Sequence, residues 1–175
     1  MTILCSILDD PKPVGDQTFG LQDSPILRPR ILLADDHREV LDTLRPLLDE
    51  MGEVVGMVED GRALIEAARL LEPDLIITDI SMPRLNGLDA TRTILACLPE
   101  SKVIILTVHR EAVYLSLAFN AGARGYILKR SAVAELPQAV LRVLAGDRYV
   151  GRGVGGREEW AAADGDEATT WRSTF

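Results

Sequence analysis

From Arg30 to Val150 short apolar runs alternate with segments in which hydrophobic residues recur at helical spacing. Ile31–Leu32–Leu33–Ala34 reads as a fully buried strand. Asp36 with Glu39 three residues on then suggests a capping box for a helix carrying Val40, Leu41, Leu44, Leu47, Leu48 and Met51 and closed by Gly52. Pro46 is expected to kink or end that helix. A second strand over Val54–Val58 leads to a helix from about Asp60 to Leu71, ended by Pro73. The stretch Asp74–Pro83 supplies the third strand, with Asp79 where it would emerge into solvent, and Asn86 or Gly87 starts a helix stopped by Pro99. Val103–Leu106 is the fourth strand, Glu111–Ala121 a helix ended by Gly122, Tyr126–Leu128 the fifth strand, and Val133–Ala145 a helix ended by Gly146.

Strands apolar on both faces and alternating with helices predict an α/β domain, a doubly wound parallel sheet covered on both sides, over residues 30–150. The pattern does not show the order of the strands. Residues 1–29 hold four prolines and no sustained period, and are expected to be a flexible extension. Gly151, Gly153, Gly155 and Gly156 open a stretch, 151–175, expected to be a flexible linker and disordered tail with at most a short helix near Glu158–Ala163.

Composition narrows the classes. The chain has 175 residues, a formal net charge of −8 and 26% charged residues. Such an acidic balance argues against direct nucleic-acid binding through phosphate neutralisation. Cys5 and Cys97 lack metal-ligand spacing and suit a reduced, cytoplasmic protein. No stretch approaches transmembrane length and no membrane partner is expected.

The chemistry gathers where the apolar runs end. Asp35 and Asp36 follow the first, Asp79 the third, Thr107 the fourth and Lys129 the fifth. In an open parallel sheet those ends share one edge, where such folds bind ligands. Singly each has a plain alternative: Asp36 or Thr107 as a helix cap, Lys129 as a solvated surface lysine, Tyr126 as a core aromatic. Asp79 is harder to explain away, because the next helix starts several residues later. Three carboxylates brought together need a cation, and a hard divalent ion such as Mg²⁺ takes carboxylates, water and phosphate oxygens. A carboxylate, a hydroxyl, an ammonium and such an ion suit acceptance of a phosphoryl group, with the carboxylate as nucleophile. A phosphatase working through an aspartyl phosphate would want an acid two residues on, where Ser81 stands. A P-loop is absent. A flavin-binding module would need neither the acid pair nor the lysine.

These residues, together with Met82–Pro83, Asn86–Gly87 and Gly125–Tyr126–Ile127–Leu128–Lys129, closely resemble the receiver domain of bacterial two-component response regulators. Ala121–Gly122–Ala123–Arg124–Gly125–Tyr126 looks most like the NarL/FixJ subfamily. The resemblance implies a flavodoxin-like (βα)5 fold with strand order 2-1-3-4-5. It implies that Asp79 accepts phosphate from a histidine kinase or phosphotransfer protein. Asp36, Asp79 and the backbone carbonyl of Ser81 would hold Mg²⁺, with Asp35 supporting through water. Lys129 and Thr107 would contact the phosphoryl oxygens, and Thr107 and Tyr126 would form the switch. Ser81 and His109 flank the expected path of the attacking water and would tune dephosphorylation, although His109 reads equally well as an exposed loop residue. The result is a signalling switch, with slow autodephosphorylation rather than turnover.

Two departures stand out. Arg130 follows the lysine where many receivers have a proline in a cis bond, so a trans bond or a rearranged loop is expected. The subfamily usually continues into a helix-turn-helix domain, and residues 151–175 show no such pattern. The first reading is therefore a stand-alone receiver acting through protein contacts, including a second copy of itself, or as a phosphate sink. The alternative is a DNA-binding regulator whose output domain has been lost. A receiver fold that no longer phosphorylates is the third.

Overall fold

The computed structural model of the chain describes residues 28–156. Residues 1–27 of the expected extension 1–29, and residues 157–175, where at most a short helix is expected, lie outside the described residues. The elements run β1 (Arg30–Ala34), α1 (Arg38–Asp49), β2 (Glu53–Val58), α2 (Gly61–Leu71), β3 (Leu75–Thr78), α3 (Gly87–Cys97), β4 (Lys102–Thr107), α4 (Ala112–Asn120), β5 (Gly125–Leu128), α5 (Ala132–Leu144) and β6 (Tyr149–Val150). All pairings are parallel and the order is β2-β1-β3-β4-β5-β6. The five-strand order implied by the resemblance is present, with a sixth strand added beyond β5.

The sheet is buried on both faces because its inner strands carry continuous apolar runs: Ile31–Ala34, Leu75–Ile77, Val103–Leu106 and Tyr126–Leu128. Leu32, Ile76, Ile105 and Tyr126 point into one layer with α2, α3 and α4. Ile31, Leu33, Ile77, Ile104 and Ile127 point into the other, against Leu41, Leu44 and Leu48 of α1 and Leu136, Val140 and Val143 of α5. Alternate residues of one strand face opposite ways, so a continuous apolar run serves both cores.

Three local expectations need correction. The N-cap of α1 is His37, with no side-chain cap bond, so the Asp36–Glu39 capping box does not form. Asp35 takes the His37 N–H instead, at 2.9 Å, which keeps Asp36 at the sheet edge. Pro46 does not end α1, which continues to Asp49. Pro46 is exposed, and the carbonyl it leaves without a helix partner belongs to exposed Asp42. Residues 151–156, expected to be a flexible run, instead pack on the domain. Gly151 N–H donates to Tyr126 O (2.8 Å), Gly155 N–H donates to Arg110 O (2.7 Å), and Val154 is buried.

Candidate functional site

Asp79 emerges directly after β3 and is 3% exposed. Its N–H donates to Ala34 O of β1 at 3.0 Å, which fixes the backbone between the acid pair and β3. Its Oδ1 accepts the Ile80 N–H at 2.6 Å and its Oδ2 accepts from Lys129 Nζ at 2.7 Å. Lys129 Nζ also lies 2.7 Å from Asp35 Oδ2, so one ammonium bridges the carboxylates at the ends of β1 and β3. Burial pulls the lysine's pKa down, but the bonds to Asp35 and Asp79 outweigh it and leave the ammonium harder to deprotonate than usual.

The turn after Asp79 explains the Met–Pro–x–x–Asn–Gly spelling. Asn86 caps α3 by accepting the Asp89 N–H at 2.9 Å. Gly87 N–H returns to Ile80 O at 2.9 Å. Any Cβ at Gly87 would stand 1.9 Å from the Asp79 carbonyl oxygen. Glycine is therefore required for the helix start to lie against the backbone that carries Asp79.

Thr107, fully buried, ends β4 in register with Leu128, the residue before Lys129. Its Oγ1 accepts the His109 N–H at 3.4 Å. Thr107, Val108, Arg110, Leu128, Lys129 and Arg130 line a cleft of about 130 Å³. Lys129–Ser131 form a single 3₁₀ turn, and no peptide bond among the described residues is cis, so the Lys129–Arg130 bond is trans as expected.

Ser81 and His109 meet, with Ser81 Oγ 3.1 Å from His109 Nε2, and the imidazole stacks on Tyr114. Tyr126 is fully buried and its hydroxyl donates to His109 O at 2.9 Å. Burial pushes the phenol's pKa well up, so it stays a donor at any physiological pH.

The donor set suits a hard cation. Asp35 Oδ2 is buried and, among the described residues, has no partner besides the Lys129 ammonium at 2.7 Å. Ligand atoms of Asp35, Asp36 and His37 lie within 4.8 Å of one another. His37, which the sequence reading passed over, is 2.8 Å from Asp36 and exposed. Asp36 above all makes its ring easier to protonate. Its imidazole suits softer metals, so the oxygens of Asp35 and Asp36 are the fitting part of this group for Mg²⁺. His37 is better described as a hydrogen-bond partner of the acid pair. Only its place directly after two acids could have singled it out.

A doubly wound parallel sheet with buried acids at the ends of two neighbouring strands and a lysine between them defines a class of domain that binds at its strand ends. The response regulator receiver domain family matches residues 31–141, and the chain belongs to that family. It is 37% identical over 123 residues to the response regulator GacA of Pseudomonas viridiflava, covering 69% of this chain and 58% of that protein. With UvrY of Escherichia coli it shares 36% over 122 residues, covering 69% and 56%. The chain thus spans somewhat over half the length of these curated relatives. Among solved structures, a LuxR-family two-component response regulator from Aurantimonas sp. SI85-9A1 superposes with a TM-score of 0.69 at 33% identity, covering 78% of this chain and 97% of that one. The isolated receiver domain of RcsB from Salmonella enterica, with the phosphomimetic BeF3−, gives 0.67 at 30% identity, covering 73% and 96%. No helix among the described residues is long and apolar enough to cross a membrane.

Proposed function

We propose that this receiver domain accepts a phosphoryl group on Asp79 from the phosphohistidine of a histidine kinase or phosphotransfer protein. The observation that carries this reading is the buried Asp35–Lys129–Asp79 bridge, with both contacts at 2.7 Å. A carboxylate oxygen of Asp79 attacks phosphorus, the P–O bond forms, and the P–N bond breaks with its electron pair leaving on imidazole, which takes a proton. Lys129 and the Thr107 hydroxyl stabilise the phosphoryl oxygens as charge spreads over them. Asp35, Asp36, Asp79 and the Ser81 carbonyl would hold Mg²⁺, which neutralises phosphoryl charge when bound. The absence of an acid at Ser81 favours a persistent phosphorylated state over turnover.

Thr107 and Tyr126 form the switch in this reading, linked through His109. The phosphoryl group draws Thr107 towards it, and the buried position of Tyr126 becomes favoured. The surface of α4, β5 and α5 then changes for a protein partner or a second copy of the chain. The energy comes only from the group's different contacts in the two states.

Acetyl phosphate with magnesium should add one hydroxylamine-labile phosphoryl group to the full chain, absent in Asp79→Asn. The same adduct in that variant would remove the assignment. Ser81 and His109 sit where water would approach. Ser81→Ala and His109→Ala should each alter the half-life of the phosphorylated form several-fold, well below the roughly 10²–10⁴ that a positioned general acid or base supplies. Wild-type decay in both would show that this pair has no part in hydrolysis.

A further inference from the structure

The segment after α5 is tied to the switch at several places. β6 pairs with β5 so that Val150 stands beside Tyr126, and Gly151 N–H donates to the Tyr126 carbonyl at 2.8 Å. Buried Glu135 of α5 accepts the Tyr149 hydroxyl at 3.0 Å and the Arg152 N–H on both oxygens, at 3.2 and 3.0 Å. Val154, 6% exposed, enters the apolar layer that contains Tyr126, Leu115 and Leu128. Gly155 N–H then donates to Arg110 O at 2.7 Å. The neighbouring carbonyl, of His109, accepts the Tyr126 hydroxyl.

Two independent parts of the chain therefore hang on successive carbonyls of the β4–α4 loop, which begins directly after Thr107. Tyr126 leaving its site would break the bond to His109 and disturb the layer that Val154 fills. Residues 149–151 also cover the β5 edge. We propose that residues 149–156 are a strap that holds Tyr126 in its buried position, so that docking of the strap and occupation of the phosphoryl site at Asp79 favour each other. The proposal rests on the phosphoacceptor reading given above. A strap that only covers a sheet edge would be indifferent to the phosphoryl site. A strap coupled to it must obey reciprocity: whatever factor the phosphoryl mimic gives to strap docking, the docked strap gives to mimic affinity.

Amide hydrogen exchange on the full chain, with and without magnesium and beryllofluoride, tests this. Beryllofluoride should slow exchange in residues 149–156 on the order of fivefold or more, and by a larger factor than in β2 on the far edge of the sheet. Val154→Asp should speed exchange in the strap and weaken beryllofluoride binding by a comparable factor. Glu135→Gln should act in the same direction but less, and decides the matter if exchange in β1 shows that Val154→Asp has lost its fold. Two results would overturn the strap alone while acetyl phosphate still marks Asp79: strap exchange unmoved by beryllofluoride, or an undocked strap with wild-type affinity. No phosphoryl group on Asp79 would overturn the phosphoacceptor reading and the coupling with it.

Discussion

Asp74 and Asp79 stand at opposite ends of β3, and the sheet puts the same carboxylate to different uses. Asp74 is exposed and works on the backbone: its Oδ2 accepts the Arg30 N–H at 2.7 Å, its N–H donates to Arg30 O at 2.9 Å, and its carbonyl accepts the Lys102 N–H at 2.9 Å. It joins the starts of β1, β3 and β4. Asp79 is buried, and its side chain binds an ammonium shared with Asp35. At the first end a polar group satisfies donors that the fold itself leaves over. At the second, like charges are held together, an arrangement that lowers stability without its cation and suits the phosphoacceptor chemistry proposed for it.

The contrast is broken most sharply by exchanging the acids. Asp79→Asn should lose phosphorylation by acetyl phosphate entirely, whereas Asp74→Asn should keep it and lose only about 1 kcal/mol of stability in a urea titration. Lys129→Ala comes next. Phosphorylation should slow on the order of 10²–10³-fold, because the phosphoryl oxygens lose their fixed positive neighbour. Lys102→Ala, at the start of β4 on the other edge, should leave the rate alone.

Gly87→Ala addresses the scaffold beneath the site. Its Cβ would meet the Asp79 carbonyl at 1.9 Å, so α3 must move, at about 1–3 kcal/mol and about 2–4 °C of melting temperature per kcal/mol. An unchanged melting temperature would show that the helix start is not held against Asp79.

The smallest effect concerns Glu135, an acid used structurally like Asp74. Burial disfavours its charge, but hydrogen bonds from Ser131, Arg152 and Tyr149 outweigh this and set its pKa below the ordinary 4.5. Its contribution to stability is therefore complete above 4.5 and lost as pH falls through the depressed value. The urea midpoint should fall across that acid range, and Glu135→Gln should flatten the fall.

The sheet was legible because each inner strand spells a continuous apolar run, and a buried parallel strand needs nothing else. The site was legible for the converse reason: Asp35, Asp79, Thr107 and Lys129 interrupt that rule at the same relative place. Strand order was not in the pattern, since both cores are equally apolar, and it came through family resemblance. β6 escaped notice because two residues have no period. What holds residues 151–156 is Glu135, far back on α5, together with backbone carbonyls of Tyr126 and Arg110 that no local spelling reveals. The α1 cap misled because the competing acceptor for the His37 N–H, Asp35, stands directly beside the expected cap.

The two acids of β3 also provide the decisive measurement. Arg69 and Arg84 are the trypsin sites that bracket both, with no lysine or arginine between them, so one peptide, Leu70 to Arg84, carries Asp74 and Asp79 together. After treatment of the full chain with acetyl phosphate and magnesium, fragmentation of that peptide should place a single phosphoryl group on Asp79. A group on Asp74, or an unmodified peptide, would contradict the phosphoacceptor role assigned to Asp79.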